Sequence, residues 1–393
     1  MIGIEDRVLG ANAERSRNHN RQVVLGRIRA AGAVGRAEIA RASGLSTQAV
    51  SNIIADLAED GLIREDGRRA GSRGLPATQY TLNPNGGFAL GIEVRTDAVF
   101  AALLNLAGRP IFTDRRRLPR VSGGGLAAVL GEIRQEAAAH ATPTRILGAG
   151  IVMPGPFGDT GLAGSGSDLP AWTREEPAPR LREALDLPVI VENDANAAAM
   201  AERVAGVAEG LSSYAFLYFG TGLGLGVVHR GQLIAGAFGN AGEIGHVPVP
   251  AGGCVRPLEE VVSRLAVQRH LARAGIEAGS GAELQQLFYA DNPHLLEWLD
   301  RAAEPLSAAI TIVENLFDPE TVILGGAMPN ALLDRLIGSV TLSPRSVAER
   351  TDRPTPRVLR GASGRMTATL GAAALVINRA FTPAIAPAVG TPN

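Results

Sequence analysis

Two groups of polar side chains in this chain stand at spacings that suit hydrogen-bonding chemistry. The first is Ser46, Thr47, Gln48, Ser51 and Asn52. These side chains are short and uncharged, and each donates or accepts a hydrogen bond. That is what the start of a helix needs to read base edges in a DNA major groove, and Gln48 and Asn52 each match adenine bidentately. The second is Asn193, Asp194, Glu243 and His246. Asn193 both donates and accepts, the two carboxylates accept hydroxyl protons, and His246, three residues after Glu243, gives or takes one. Singly each has an ordinary structural reading, with Asp194 as a helix cap, Glu243 as a surface acid and His246 as a core histidine.

The elements that position the first group are legible. Val23, Val24, Ile28 and Ala31 predict a helix over 20–31, and a second helix fits 36–42. Ser43-Gly44-Leu45 is a tight turn in which glycine can take a positive φ, and Ser46 is a good N-cap. Val50, Ile53, Ile54 and Leu57 then form the apolar face of a third helix, opposite the polar one. Strands at 62–65 and 79–82 flank a loop holding Arg68, Arg69 and Arg73, which fits a wing laid on phosphates. The order predicts an α+β winged helix-turn-helix over 1–84, with its core at about 18–83, bound to double-stranded operator DNA.

Composition narrows the rest. The formal net charge is −1, so no global field favours nucleic acid or membrane. Residues 1–90 nevertheless hold twelve arginines against nine acidic residues, a mildly basic head on an acidic body. All 38 basic residues are arginine, which excludes a lysine Schiff base and a Walker A lysine. One cysteine, Cys254, excludes a disulfide framework and a multi-cysteine zinc site. No apolar run spans a bilayer, and the start lacks a long apolar core, so the expected location is the cytoplasm.

The turn-rich Asn83-Pro84-Asn85-Gly86-Gly87 marks a boundary before a body over 85–380. Strands are predicted at 88–94, 99–106, 147–152, 189–191, 214–219 and 321–324, with helices between and polar or glycine-rich loops at their ends. This is α/β layering, with ligands expected at the carboxyl ends of strands. Gly220, Gly222, Gly224 and Gly226 alternate, so they line one face of a strand or hairpin. From 381 to 393 the chain reads as a weakly ordered tail.

The stretches Glu192–Ala199 and Gly236–His246, with Gly220-Thr221-Gly222 and Val322–Gly326, resemble the ROK family (repressors, open reading frames, kinases) and are similar to its N-acetylglucosamine and xylose repressors. The resemblance implies an actin–hexokinase-like, ribonuclease-H-like body of two lobes. It implies a monosaccharide effector held by Asn193, Asp194, Glu243 and His246, and adds Glu259 as a further sugar contact. It implies a sugar-responsive transcriptional regulator, expected to repress, acting as a homodimer or tetramer. The aspartate matching Asp194 is the general base of the family's kinases, so the alternative is an ATP-dependent sugar kinase with an appended DNA-binding head. Loop residues Ser165, Ser167, Asp168 and Trp172 are the expected readers of which sugar binds.

Two departures favour the regulator. Family kinases carry an aspartate followed by Gly-Gly-Thr to cradle ATP phosphates. Here Glu93 replaces the aspartate, and Arg95, Thr96 and Asp97 occupy the loop, so ATP and kinase activity are not expected. Many members also hold zinc through one histidine and three cysteines. Pro250, Gly252 and Pro257 stand at the cysteine positions, so no zinc is expected.

Overall fold

The computed structural model describes residues 13–69, 76–95, 98–117, 123–141, 145–153, 178–364 and 366–382. The head consists of α1 (Ala13–Ala31), β1 (Ala33–Gly35), α2 (Arg36–Ser43), α3 (Thr47–Glu59), β2 (Ile63–Arg69) and β3 (Ala77–Leu82). Gly44 takes φ 70°, and the Ser46 hydroxyl accepts from the Ala49 N–H at 3.2 Å, so turn and cap form where their residue types ask for them. The face of Val50, Ile53, Ile54 and Leu57 is buried. The three strands form an antiparallel sheet in the order β1-β3-β2.

Two expectations for the head need correction. Helix α1 starts at Ala13 rather than near residue 20. Its early turns have no apolar stripe and are held by charge instead, with Arg17 on Asp56 at 2.6 Å and Arg21 on Asp60. Strand β2 also runs on to Arg69, so Arg68 and Arg69 lie in a strand rather than a loop. A register shift between Glu65 and Arg68, with Gly67 at φ 75°, lets the pairing continue past the acidic turn. Arg68 is exposed, and Arg73 lies outside the described residues.

The body opens with β4 (Phe88–Val94), β5 (Ala98–Asn105), β6 (Pro110–Arg117), α4 (Gly123–Ala139), β7 (Ile146–Val152), α5 (Ala178–Leu185) and β8 (Val189–Glu192). It continues through α6 (Asp194–Ala205), β9 (Tyr214–Phe219), β10 (Leu223–His229), β11 (Gln232–Leu233), β12 (Pro248–Ala251) and β13 (Cys254–Pro257). Then follow α7 (Arg264–Arg273), α8 (Gly281–Tyr289), α9 (Pro293–Phe317), β14 (Val322–Gly326), α10 (Asn330–Ser339), β15 (Val358–Ser363) and α11 (Thr367–Phe381). Two mixed five-stranded sheets result, β6-β5-β4-β7-β8 and β11-β10-β9-β14-β15. Each has an antiparallel three-strand meander continued by two parallel strands, so the lobes repeat one topology.

Strand β4 is buried throughout because both faces are covered. Leu90, Ile92 and Val94 pack with Leu126 and Leu130 of α4 and Leu181 of α5. Its other face meets α11, and the contact is very close: a Cβ on Gly91 would lie 2.6 Å from Ala373 N, and one on Gly150 would overlap Ala372 O. Helices α6 and α11 lie side by side and run in the same direction. A Cβ on Gly371 would collide with Ala197 O, and six residues along α6 the Arg203 Nε donates to Asn378 Oδ1 at 3.1 Å. Helix α11 extends to the buried Phe381, the first residue read as tail; 383–393 lie outside the described residues. Among the described residues no helix is long and apolar enough to cross a membrane.

Candidate functional site

The site is built around the start of α6. Asn193 is its N-cap, with Oδ1 accepting from the Asn196 N–H at 2.8 Å, which leaves its amide N–H groups to offer a ligand. Glu192 Oε1 accepts from Asn193 N–H at 3.0 Å and Asn196 Nδ2 at 2.9 Å, fixing the strand-to-helix corner. Asp194 is thus the first residue of the helix rather than its cap, and its Oδ1 accepts from the Ala195 N–H at 2.9 Å. Burial pushes the Asp194 carboxyl up to about 6, helped by the neighbouring Glu93 and Glu243 carboxylates. Such a carboxylate is poised as a hydroxyl acceptor at neutral pH, with few competing donors.

Opposite it stands the glycine-rich segment before His246. Gly242 takes φ 94°, and a Cβ there would overlap Leu225 O, so the segment can lie flat against β10 only with glycine. This places Glu243 ahead of the 3-10 turn Ile244–His246. His246 Nε2 lies 3.6 Å from Glu243 Oε2 and Nδ1 3.9 Å from Glu259 Oε1, so one imidazole sits between two carboxylates. Glu259 rides on a second 3-10 turn, Leu258–Glu260. Its carboxyl fits a slot that Gly222 and Gly245 leave open: a Cβ on Gly222 would collide with Oε2, and one on Gly245 would come within 3.2 Å of it. Burial pushes the Glu243 carboxyl up, and His246 opposes that. The five predicted residues of the body therefore line one region, joined by Tyr218, whose buried phenol is pushed well up by burial and by Asp194 and Glu93.

One part of this region escaped the sequence reading. Glu93 Oε1 accepts from Arg95 Nε at 2.6 Å, and its Oε2 accepts from the Thr369 hydroxyl at 2.8 Å. The Arg95 guanidinium lies 4.4 Å over the Phe100 ring. Thr369 is 276 residues away from Glu93, on a helix to which no site residue was assigned. Only the period-two alternation of β4 hinted at it, since Ala89, Gly91 and Glu93 share the face toward α11. Thr96 and Asp97 lie outside the described residues, as do Ser165, Ser167, Asp168 and Trp172.

The first group of predicted residues stands apart, on the head. Ser46, Thr47, Gln48 and Asn52 are exposed and Ser51 is half-buried. Gln48 Nε2 donates to Asn52 Oδ1 at 3.0 Å, so the two expected adenine readers bond each other in the free protein.

The two repeated sheets make an actin–hexokinase-like body of two lobes, carrying an N-terminal head. Residues 89–379 match the ROK family, and the chain belongs to it. A glucokinase of Halalkalibacterium halodurans is 30% identical over 317 residues, spanning 73% of this chain and 92% of its own. The xylose repressor of Bacillus subtilis is 24% identical over 317 residues, spanning 78% of this chain and 81% of its own. Among solved structures, a ROK family transcriptional regulator described as a homolog of the E. coli MLC protein superposes with a TM-score of 0.73 at 24% identity. It covers 93% of this chain and 97% of its own.

A zinc ion of the family's kind does not fit the residues present. Pro250 and Pro257 are strand residues of the β12–β13 hairpin, and the exposed Cys254 Sγ accepts from Arg256 Nε and donates to Ala251 O, both at 3.2 Å. His246 and Cys254 would leave a tetrahedral site two ligands short. Among the described residues no group of three or more histidine, cysteine or acidic side chains could hold a metal.

Proposed function

We propose that this protein is a DNA-binding transcriptional regulator of carbohydrate uptake or metabolism genes, a repressor whose operator affinity changes when a monosaccharide enters the body's cleft. Residues 1–84 form a winged helix-turn-helix and 85–380 the sensor. The observation that carries the reading is the exposed, uncharged edge of α3 behind its Gly44 turn, on a chain whose body holds a cluster of hydroxyl-binding side chains. A repressor relative and a regulator fold covering 93% of the chain support it. Asn193, Asp194, Glu243, His246 and Glu259 bind the sugar. Ser46, Thr47, Gln48, Ser51 and Asn52 read bases, while Arg68, Arg69 and Arg73 contact the DNA backbone. Two half-sites require two heads, so the working unit is a homodimer or a tetramer.

The glucokinase relative keeps a second reading in play, ATP-dependent phosphorylation of the sugar. Against it stands the Glu93–Arg95 pair: a phosphate brought there would meet a carboxylate beside Asp194 and an arginine already held by it. The described residues then bind and orient a sugar, with this pair standing where a nucleotide's phosphates would come. Replacing Asp194 by Asn separates the readings. Under the regulator reading the sugar's effect on operator binding is lost while operator binding persists. Sugar-dependent ATP consumption by the unmodified protein, lost in D194N, would establish the kinase instead.

A further inference from the structure

Helix α6 has one end in the sugar region and the other on the head. Its twelve residues span ~18 Å at about 1.5 Å each. Asp194 begins it. Near its last turn, the Arg29 Nη2 of head helix α1 donates to Val204 O at 2.8 Å. The same guanidinium lies 4.8 Å over the ring of Phe381, the last residue of α11. Two parallel helices thus end on one arginine, and their C-terminal dipoles favour a cation there.

The body leaves α6 little freedom to absorb a displacement along its length. Small residues seat it on its neighbours. A Cβ on Gly371 of α11 would collide with Ala197 O, and one on Gly226 of β10 would come within 2.6 Å of Ala195 O. Its far end is tied by Arg203 Nη1 to Leu211 O at 2.6 Å, by Arg203 Nε to Asn378, and by Glu202, which accepts from the Val207 N–H at 2.9 Å and from the Ala362 N–H. Helix α11 is engaged at the same two ends, by Thr369 on Glu93 beside Asp194, and by Gln22 Nε2 of the head on Arg379 O at 2.9 Å. A closely packed pair of this kind moves as a unit. A shift of the corner at Asn193 and Asp194 on ligand binding therefore reaches the Val204 carbonyl.

We propose that Arg29 is the coupling residue through which the head senses occupancy of the region around Asp194. It touches neither sugar nor DNA; it positions the head on the joint ends of α6 and α11. This rests on the sensor reading above and adds the route and the residue. Apolar contacts keep the head docked without it, since Leu25 and Leu57 of the head share one buried apolar cluster with Leu106 and Phe381 of the body, and Leu62 and Leu147 pack against it. Losing Arg29 should therefore disconnect the two functions while leaving each intact.

The test uses the full-length protein, Arg29→Met and Arg29→Lys. Operator affinity is measured on the DNA upstream of its own gene, alone and with D-xylose, D-glucose or N-acetyl-D-glucosamine, and sugar affinity is measured by calorimetry. We expect one sugar to change wild-type operator affinity about tenfold. In R29M the change falls below about threefold, while ligand-free operator affinity stays within about threefold of wild type and the sugar still binds. R29K, which keeps the cation but not the forked donor, is intermediate. A full sugar response in R29M overturns the inference and leaves the sensor reading standing. No response to any of the three sugars in wild type counts against the sensor reading, and the coupling falls with it. A second arm needs no effector: the change in amide exchange over residues 22–31 caused by D194N is compared with and without the R29M substitution. Exchange at α1 should respond to D194N only with Arg29 present, and an equal response in both backgrounds overturns the inference.

Discussion

The two lobes share a sheet topology, and their equivalent hairpins have been filled in opposite ways. In the second lobe, the β9–β10 connection keeps Gly220-Thr221-Gly222, and every added Cβ would meet something: Tyr218 Cε1 at 2.7 Å from Gly220, and the Glu259 carboxylate from Gly222. In the first lobe, the β4–β5 hairpin carries Glu93 and Arg95, paired at 2.6 Å and anchored to Thr369 and Phe100. One hairpin is hollowed to seat a site carboxylate; the other is plugged by its own charges and tied to the helix that reaches the head. On the function proposed above, this difference is what separates a sensor from the kinases that share its fold.

The contrast between the two hairpins can be tested by substitutions of decreasing effect. The largest effect belongs to the glycine face of β10. Gly226→Ala would press a Cβ against Ala195 O, a backbone atom that cannot swing aside, and should lower unfolding free energy by about 3 kcal/mol in urea titrations. Asp194→Asn comes next, and acts on stability with the opposite sign. The folded pKa of about 6 lies above the ordinary 3.8, so ionising Asp194 costs the fold at pH 8, and that cost is gone below pH 3.8. D194N should be more stable than wild type by at most about 3 kcal/mol at pH 8, with the gap closing as pH falls through 6 toward 4. Gly222→Ala meets only the flexible end of Glu259, so it should leave stability within about 0.5 kcal/mol. Displacing that carboxylate should still weaken sugar binding about tenfold, or ~1.4 kcal/mol, by calorimetry. The smallest step is Glu93→Gln in the plugged hairpin. It removes one of the charges that hold the Asp194 carboxyl up, so the pH midpoint of sugar binding should move down by roughly half a unit, or ~0.7 kcal/mol.

What could be read from the residues follows the range of the interactions. Helix α3, its Gly44 turn and its Ser46 cap are local and were legible from period and residue type. So were strands β4, β7, β8 and β9, whose apolar runs end in polar corners. The grouping of Asp194, Glu243, His246 and Glu259 came through motif resemblance, because no local rule brings residues 194 and 259 together. The three-residue β1, the polar start of α1 and the reach of β2 to Arg69 depend on pairing partners elsewhere. Helix α11 has apolar or small residues on nearly every side, since it is buried all round, so no amphipathic stripe announced it. Its bond to Glu93 and its contact with Arg29 join the two ends of the chain, and spacing carries no trace of either.

The most direct test of the central claim is a fluorescence-anisotropy titration of the purified protein on the DNA upstream of its own gene. It is run with and without D-xylose, D-glucose and N-acetyl-D-glucosamine, with ATP consumption followed in parallel samples. The account predicts sequence-selective binding that one sugar shifts about tenfold, with no sugar-dependent ATP consumption. Selective binding that no sugar shifts, together with sugar-dependent ATP consumption, would contradict it.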